Sequence, residues 1–517
     1  MKNFILRGLF LFMTVISLVD FSFYGSDVAA HAQGRVLRVV SPWKARGLAP
    51  EKSGFIFARM GCMEMLTTVD HSGRIVGKLA GSWSVSDNKL LWNFHLREGV
   101  RFHDCTPMTA EVVAACLNRS IEKKGVLSRT PVKQVKPLDE KTVLIVTQRP
   151  FAPLAAYLAH YSCGILSPSS FNDKGEIVNI IGTGPYRMIG SKAGKFFQFK
   201  AFTDYWGEKP QIAATSYTAV PRGETRAFMV QADQADLVFT LSPMAARKIE
   251  AGGYADIVTM TIPRTRQLLV NCGSFFFRDQ RVREAISLAI DRKAIARNIL
   301  RHPDSAATQL LPPAMGLWHC PNLPSLPYDV HRARTLLSEA GWKQGTEGIL
   351  VKEGKHFRVV LNTYSSRPML PSVATALQDQ LKKVGIEISI VVAESSRIPE
   401  KHRDGTLQMA LMARNFGLIP DAIGNLAKDF GPNPGSWGAM GWQSARMNQL
   451  IEQYWGTFDP QNAARLRKEI VAILQQELPV IPVSWYEHIV SINRKLGGIH
   501  IDPFELRSYV EGAYWVD

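Results

Sequence analysis

One short stretch near residue 100 combines the signals of a strand, a tight turn and a helix start. Trp92, Phe94 and Leu96 alternate with polar residues, which is the period of a half-buried strand. Gly99 ends this alternation, and Thr109 stands where a helix N-cap is expected. The stretch therefore predicts a strand that packs on a core and leads through a turn into a capped helix.

Further strings along the chain follow an order that is typical of one protein family. They are Leu79 to Trp83, Leu96 to Asp104 with its continuation Cys105 to Val112, Ile181 to Tyr186, Asp204 to Pro210, Arg281 to Ala285, Ala289 to Arg292, Ala333 to Leu337, Ala340 to Trp342 and Leu381 to Ile386. In these strings the chain resembles the extracellular solute-binding proteins of family 5, the receptors of ABC importers for peptides and nickel. Cys105 departs from the pattern, because the family usually has glycine there.

The resemblance implies an α/β fold, the two-lobed periplasmic binding protein fold (type II, the large class with an extra subdomain). We expect lobe I at residues 33–62, 182–277 and 482–517, an inserted subdomain at 63–181, and lobe II at 278–481. The residue pattern also changes along the chain. It predicts mostly short strands up to residue 270, and helices that alternate with strands from residue 280 onward.

Periodicity predicts several individual elements. The strands are expected at Arg35 to Val40, Lys141 to Val146, Phe196 to Phe202, His356 to Asn362 and Ile386 to Val392, and the helices at Val282 to Leu300, His331 to Ala340 and Asn462 to Glu477.

The N-terminus has the pattern of a secretory signal. Lys2 and Arg7 precede an apolar run, and Ala30-His31-Ala32 offers a small-x-small cleavage site. The run is shorter than the roughly 20 residues that span a bilayer, which disfavours the alternative of a membrane anchor. We therefore expect residues 1–32 to be a signal peptide, cut before Gln33, and the protein to be periplasmic.

The chain is strongly basic, with a formal net charge of +16. This balance favours an anionic ligand, an anionic membrane surface or an acidic partner. Nucleic acid is not expected as a partner, because the Lys and Arg residues are scattered and no nucleic-acid motif occurs. The expected partners are a small-molecule or peptide ligand and the permease subunits of an ABC transporter in the inner membrane, with the receptor itself a monomer.

The six cysteines leave two possibilities open. They are Cys62, Cys105, Cys116, Cys163, Cys272 and Cys320. In an oxidising compartment they could form up to three disulfides, but a chain of this size can also bury them as free thiols. Their irregular spacing fits none of the common zinc patterns.

Motifs for catalysis were weighed against this assignment. Ser120-Ile121-Glu122-Lys123 and Ser86-Asp87-Asn88 match two elements of penicillin-recognising serine hydrolases, but they stand in the wrong order. Gly190 to Lys195 resembles a phosphate loop one residue too short, without the Ser or Thr that would hold magnesium. We therefore expect no enzyme, no cofactor and no metal site.

The ligand contacts are expected from the resemblance at residues 403–426, which line the cleft in these receptors. Arg414, Asn415, Phe416 and Asp421 resemble the register of the nickel-chelate receptors. Peptide receptors often place an aspartate near Phe416 to hold the ligand's amino group, a role that Asp421 would have to take here. Arg414 would instead pair with a ligand carboxylate, unless a neighbouring acid holds it as part of the scaffold.

Four more residues complete the predicted site. Arg129 lies near the position of a second arginine in nickel-chelate receptors. Trp437 would stack on a ligand or fill the lobe, and Trp485 and Tyr486 follow Pro482 where the chain recrosses between lobes. Core or hinge packing is the favoured role of these last two. The sequence thus predicts the receptor of a peptide importer, with a metal chelate as the alternative ligand.

Overall fold

The computed structural model of the chain describes residues 35–70 and 72–516. The predicted signal peptide, residues 1–32, and its cleavage site lie outside the described residues. Within the described part, no helix combines the length and hydropathy that a membrane crossing requires.

Twenty-one strands form in the described chain. They are β1 Leu37–Ser41, β2 Thr67–Val69, β3 Ile75–Gly77, β4 Ala80–Val85, β5 Leu91–Leu96, β6 Val132–Pro137, β7 Thr142–Thr147, β8 Tyr186–Lys192, β9 Phe196–Ala201, β10 Ala214–Ala219, β11 Leu237–Phe239, β12 Asp256–Val270, β13 Lys343–Gln344, β14 Leu350–Lys352, β15 Lys355–His356, β16 Arg358–Thr363, β17 Glu387–Val392, β18 Met409–Asn415, β19 Val480–Ile492, β20 Leu496–Gly497 and β21 Tyr514–Trp515.

The α-helices of the described chain pack mainly around these strands. They are α1 Pro50–Arg59, α2 Ala110–Glu122, α3 Leu154–Leu158, α4 Gly223–Gln231, α5 Pro243–Ala251, α6 Gln280–Leu288, α7 Arg292–Ala294, α8 Val330–Glu339, α9 Leu370–Lys382, α10 Arg397–Arg403, α11 Ile423–Phe430, α12 Ala445–Trp455 and α13 Pro460–Glu477.

A single ten-stranded sheet runs through both lobes. Its order is β17-β16-β18-β12-β19-β11-β1-β10-β9-β8. The two long strands at its centre, β12 and β19, pair with each other in antiparallel fashion along most of their length. The C-terminal end of β19 also pairs with β11, and the C-terminal half of β12 also pairs with β18, so the sheet links strands expected in lobe I with a strand expected in lobe II.

The pairing of β12 with β19 is irregular in the middle. The register shifts between Ile262 and Thr265, and again between Arg266 and Gln267. Such bulges bend a strand and strengthen its twist. From Arg264 onward, β12 also pairs with β18, a strand expected in lobe II. The irregular stretch therefore lies where β12 begins to pair with β18, and the lobe boundaries expected at 277 and 482 stay predictions.

A smaller antiparallel sheet, β4-β5-β7-β6, forms the middle of the inserted stretch. Trp92, Phe94 and Leu96 of β5 are buried, as the alternation predicts, and they join a separate apolar core with α2. Thr109 caps α2, because its hydroxyl accepts from the backbone N–H of Val112. This stretch thus has its own core.

The turn after β5 is hydrogen-bonded to the segment Ile181 to Tyr186, another of the strings that resemble the family. His103 accepts a hydrogen bond from Gly182 N–H at Nδ1 and donates from Nε2 to the Gly184 carbonyl. Burial lowers the pKa of His103 to about 4, so the ring stays neutral near pH 7. The two strings that are far apart in sequence therefore form one packed junction between the subdomain and lobe I.

The predicted elements are largely confirmed, with one correction. The segment Val282 to Leu300 does not form one helix, because α6 ends at Leu288 and Asp291 caps a new turn by accepting from Ala294 N–H. The chain then continues through a wider helical turn at Ile295–Ile299. Periodicity cannot detect this interruption, since the apolar spacing continues across it.

All six cysteines are free thiols in the structure. Cys62, Cys116, Cys163 and Cys272 are buried, and Cys105 is exposed. The structure therefore supports the alternative of unpaired thiols over disulfides.

Cys105 has a backbone φ of 67°, in the left-handed region. The side chain makes this conformation costly for any residue with a Cβ, and glycine avoids the cost. This explains why glycine is usual at this point of the family's pattern.

We expect Cys105→Gly to stabilise the protein by about 1 kcal/mol, because it removes the Cβ strain in the turn. Urea unfolding of the purified protein measures the difference. Cys105→Ala is the matched control, since it removes the thiol but keeps the Cβ, and it should give no such gain. Equal stabilisation by both variants would show that the thiol rather than the backbone is responsible.

Candidate functional site

A cavity of about 530 Å³ lies between the inserted subdomain and lobe II. This volume falls within the range of roughly 300–1,000 Å³ that is usual for small-molecule sites. Its lining includes Arg129, His160 and Tyr161 on the subdomain side, and Arg414, Asn425 and Lys428 on the side of lobe II.

Direct contacts between the two parts close one end of this cavity. Arg149 forms an ion pair with Glu452, and Ala152 N–H donates to the Trp455 carbonyl at 2.6 Å. The Phe151 ring packs edge-on against Trp455, with ring centroids 5.7 Å apart. The structure thus has the subdomain closed on lobe II.

Arg414 is positioned at the end of β18 by a two-point ion pair. Its Nε and Nη2 donate to the two carboxylate oxygens of Asp429, at 2.5 and 2.7 Å. Asp429 is almost fully buried, with 1% of its side chain exposed, and Arg414 keeps 12% exposed toward the cavity. One edge of the Arg414 guanidinium is therefore held by a neighbouring acid of the scaffold. The residue still lines the cavity, where a ligand carboxylate could reach it.

The support for Asp429 comes from the loop that follows α11. Ala439 N–H donates to the Asp429 carbonyl at 2.8 Å. A Cβ on Gly438 would lie 2.4 Å from that same oxygen, so only glycine allows the loop to pack this closely. The carboxylate that orients Arg414 is thus fixed by both a helix and a tightly packed loop.

Two further cations face the cavity without a carboxylate of their own. Arg129 ends a short helical turn, Val126–Arg129, and is exposed; in the described chain it forms no ion pair. Lys428 on α11 likewise has no ion pair among the described residues. Desolvation, with the positive charges of Arg414 and Arg129, lowers the pKa of Lys428 to about 8.

The neutral groups around these cations do not balance their charge. Burial lowers the pKa of His160 to about 3, with Lys428 adding to the effect, and its Nδ1 accepts from Ser162 N–H. Burial raises the pKa of Tyr161, so its hydroxyl stays protonated near pH 7. Asn425 brings a side-chain amide whose Nδ2 has no partner.

The cavity therefore carries an excess of positive charge. Glu51 is the acid among its lining residues, and it lies 3.7 Å from Arg119, which partly neutralises it. Guanidinium and ammonium groups in such a partly dehydrated site are satisfied best by carboxylate oxygens, because charge-assisted hydrogen bonds are the strong ones. The chemistry of this lining is therefore complementary to an anionic group.

Two residues predicted at the site lie away from the cavity. Asp421 accepts hydrogen bonds from the Trp318 indole, the Tyr454 hydroxyl and the backbone of Ile423, so its carboxylate is already used. Phe416 is fully buried in the core of lobe II. Neither residue can meet a ligand in this arrangement, which corrects both expectations.

The other predicted residues also serve the scaffold. Asn415 donates to Glu505 and accepts from Gly417 N–H. Trp437 is half-buried and packs against the core of lobe II. Trp485 is buried and donates to the Gln309 carbonyl.

Tyr486 is buried at the hinge. Together with Trp485 it fits the packing role that the sequence favoured. Of the eight predicted residues, the structure thus brings Arg129 and Arg414 together at the cavity.

No pattern in the sequence marks Lys428, His160 or Tyr161 as site residues. Lys428 precedes Asp429 near the end of a helix, where a lysine is ordinary because it complements the helix dipole. His160 and Tyr161 follow α3, which is only five residues long. Nothing in the local sequence around these residues predicts a contact. They become neighbours only because the inserted subdomain packs against lobe II.

The elements that resembled catalytic motifs are structural. Ser120 is buried in the last turns of α2, and Ser86 to Asn88 form the turn before β5. Across residues 35–70 and 72–516, no group of three or more His, Cys, Asp or Glu side chains is arranged to hold a metal ion.

The fold and this cavity define a receptor that encloses a solute between two parts of one chain. The family model of bacterial extracellular solute-binding proteins, family 5 (middle region), matches residues 74–437. The chain therefore belongs to the family 5 solute-binding proteins, the binding components of ABC importers, and its fold is of the type II periplasmic binding proteins.

Similar proteins differ in what their names say they bind. The chain is 25% identical over 449 residues to the glutathione-binding protein GsiB of Shigella flexneri serotype 5b (strain 8401), covering 84% of this chain and 85% of that protein. It is 27% identical over 466 residues to the nickel-binding periplasmic protein of Escherichia coli (strain K12), covering 87% and 88%.

The fold is similar to that of solved structures as well. NikA from Staphylococcus aureus in complex with Ni(L-His)2 has a TM-score of 0.81 at 22% identity, over 94% of this chain and 100% of that one. This likeness concerns the fold.

We expect Lys428→Met to stabilise the protein by about 1 kcal/mol near pH 7, because it removes a partly dehydrated charge beside two arginines; water in the cavity keeps the gain small. Below pH 8 the lysine is charged in the folded and the unfolded state, so the folded state bears the whole cost. Between about pH 8 and 10.5 the folded protein loses the proton first, so the gain should shrink as the pH rises through this window.

Urea unfolding at several pH values measures this difference between the variant and the wild type. Lys124→Met is the matched control, since it removes one lysine from the same cavity on the side of the inserted subdomain. A gain from Lys428→Met that stays constant up to pH 10.5 would contradict the assigned cause.

Proposed function

We propose that this receptor captures a small solute through a carboxylate, with peptides as the first substrate class, and delivers it to an ABC permease without catalysing a reaction. The observation that carries the proposal is the pair of cations without an ion-pair partner among the described residues, Arg129 and Lys428, beside the Asp429-anchored Arg414 in one cavity. A carboxylate that entered would meet three positive groups and the amide of Asn425.

Hinge closure supplies the mechanism. The cavity is bounded by the subdomain on one side and by lobe II on the other, so a ligand completes its contacts only when the two approach. A ligand that binds the closed form better than the open one shifts the population toward the closed form. The permease would then recognise the closed receptor.

A carboxylate-bearing metal chelate is the second candidate. The nickel-binding relative and the NikA structure favour it, whereas the glutathione-binding relative favours a peptide. The same three cations would serve the carboxylates of a chelator or of a peptide. Peptides come first because a single carboxylate anchor is enough for them.

The location and partners follow from this function. We propose export to the periplasm with loss of residues 1–32, and a monomeric receptor that contacts permease subunits of the inner membrane. The sequence pattern at residues 2–32 and the printed name of the periplasmic nickel-binding relative support export.

We expect Arg129→Gln to weaken the binding of a carboxylate ligand by about 1.5–3 kcal/mol, roughly 10- to 150-fold, because one charge-assisted hydrogen bond is lost. Arg414→Ala should cost about 2–5 kcal/mol of binding, since it also leaves buried Asp429 unpaired. Arg414→Lys should recover only part, because lysine cannot make the two-point contact.

Titration calorimetry with short peptides, their C-terminal amides, glutathione and a nickel–histidine mixture measures these effects. Lys124→Gln is the control for losing one positive charge at the same cavity without a central position. Equal affinity for the acid and the amide would contradict the carboxylate anchor. Binding that required nickel would put the chelate first.

We expect the native protein to begin at Gln33, because the segment before it has the charge, apolar run and small-x-small site of a cleaved signal. N-terminal sequencing of protein from the periplasmic fraction measures this. Recovery of residues 1–20 in the membrane fraction would contradict export by a cleaved signal.

A further inference from the structure

A group of exposed cations lies at one end of the ten-stranded sheet, where the loop after β1 meets the turn between β8 and β9. Ala45 N–H donates to the Gly194 carbonyl at 2.8 Å. A Cβ on Gly194 would lie 2.6 Å from the Ala45 carbonyl oxygen, so the loop packs directly on the turn. Exposed side chains flank this contact on both segments, and we call them the basic tip: Lys44, Arg46, Lys192 and Lys195.

The charges of the basic tip are not neutralised by the protein. Lys44, Arg46 and Lys195 form no ion pair and no side-chain hydrogen bond with any described residue. By contrast, exposed Arg74 pairs with Asp70 at 2.8 Å. The cations of the tip are therefore free to meet a partner from outside the chain.

The segments that build this end of the sheet lack acidic residues. Residues 37–50, 186–203 and 209–223 contain nine lysines and arginines and no aspartate or glutamate. Glu51 is the first acid after the loop, but it lines the solute cavity and lies 3.7 Å from Arg119. The net charge of +16 is thus concentrated here into a surface of one sign.

Positive charge continues from the tip along the edge of the sheet. β8 is the last strand of the sheet, and Arg187 on it lies directly opposite Lys200 on β9. Both side chains are exposed. Like charges in directly opposed positions destabilise a sheet, so the fold gains nothing from this pair. The strand between Arg187 and the turn spans roughly 16 Å, which makes the charged surface an extended one.

Protection of the edge strand explains only part of this charge. Charged side chains on an edge strand discourage pairing with a strand of another chain, and Arg187 and Lys200 can serve in that way. Lys44 and Arg46 lie outside the sheet, in the loop after β1, where no strand edge needs protection. An interaction with a partner accounts for both groups of residues.

The chemistry of the surface favours a membrane over an acidic protein. Its cations are long, exposed side chains that no neighbouring group holds in place. An acidic protein surface needs its charges in matched positions. A bilayer with anionic lipids instead offers many mobile phosphate groups, which attract basic segments by charge density alone.

We propose that the basic tip, with the adjoining β8–β9 edge, is a docking surface for a membrane that carries anionic phospholipids. The lysine and arginine side chains contact the phosphate groups of several lipids at once. The surface is separate from the solute cavity and acts without solute. The proposed export would bring it to the membrane that holds the permease, and docking would keep the receptor close to that membrane.

Co-sedimentation of the purified protein with vesicles tests this proposal. The vesicles contain equal parts of phosphatidylglycerol and phosphatidylcholine, or phosphatidylcholine alone. At about 10 mM salt, where the screening length is about 30 Å, the wild type should sediment with the mixed vesicles and not with phosphatidylcholine. At about 1 M salt, where the screening length is about 3 Å, it should be released.

The variant Lys44→Gln/Arg46→Gln/Lys195→Gln should lower the partition coefficient roughly 100-fold, about fivefold for each charge lost near the lipid surface. The matched control removes three exposed lysines from three separate elements and should bind nearly as the wild type does: Lys248→Gln/Lys343→Gln/Lys468→Gln.

A second control keeps the charge and changes the side chains. Lys44→Arg/Arg46→Lys/Lys195→Arg should bind as the wild type does, because a lipid surface responds to charge and not to fixed geometry. The melting temperature of each variant shows that it is folded.

Three results would overturn the proposal. One is a wild type that does not bind the mixed vesicles at low salt. Another is an equal loss of binding in the tip variant and in the matched control, because net charge alone would then explain the binding. The third is retention on immobilised polyglutamate without binding to the vesicles, which would assign the tip to an acidic protein. None of these measurements involves solute, so they are independent of the proposed function.

Discussion

The antiparallel pairing of β12 with β19 is the constraint on which the rest of the molecule depends. These strands hold both lobes in one sheet, so any movement of the lobes must be taken up where their pairing is irregular, around Pro263 and Arg266. A bulge there permits bending without loss of the ladder on either side. The side chains on this short stretch therefore experience the change between open and closed forms most directly. Arg264 and Arg266 at this point are buried, and some of their side-chain nitrogens have no hydrogen-bond partner.

Alternation along the strands explains why positive charge is divided between two places. Arg414 pairs with Thr265 on one face of the sheet, while Arg264 and Arg266 point to the other. On the first face a buried carboxylate, Asp429, orients the guanidinium and leaves the cavity with excess charge. Buried ionic groups add little net stability and are costly when unpaired. At the cavity, the proposed capture of a carboxylate would supply the counter-charge that Arg129 and Lys428 lack among the described residues.

The sequence predicts the fold well because its strongest signals are local. The alternation in β5 and the cap at Thr109 depend on neighbours in the chain, and both are present in the structure. The site is predicted only in part. Arg414 reaches the cavity, but Phe416 lies just beyond the end of β18, where Asn415 turns the chain by accepting from Gly417 N–H and sends the ring into the core. Lys428 becomes important only through tertiary approach, which no local pattern contains.

The exposed thiol in the turn before α2 gives this receptor a natural attachment point. Burial raises the pKa of Cys62 and Cys163 to about 12 and that of Cys116 and Cys272 to about 11, so these thiols are shielded and slow to form thiolates. A thiol-reactive dye should thus label Cys105 well ahead of these four, whereas Cys320 is half-buried and would have to be replaced for single labelling. With Cys320 replaced, the chain can carry one fluorophore on the inserted subdomain, and the emission of that dye becomes a direct optical record of the receptor as it opens and shuts.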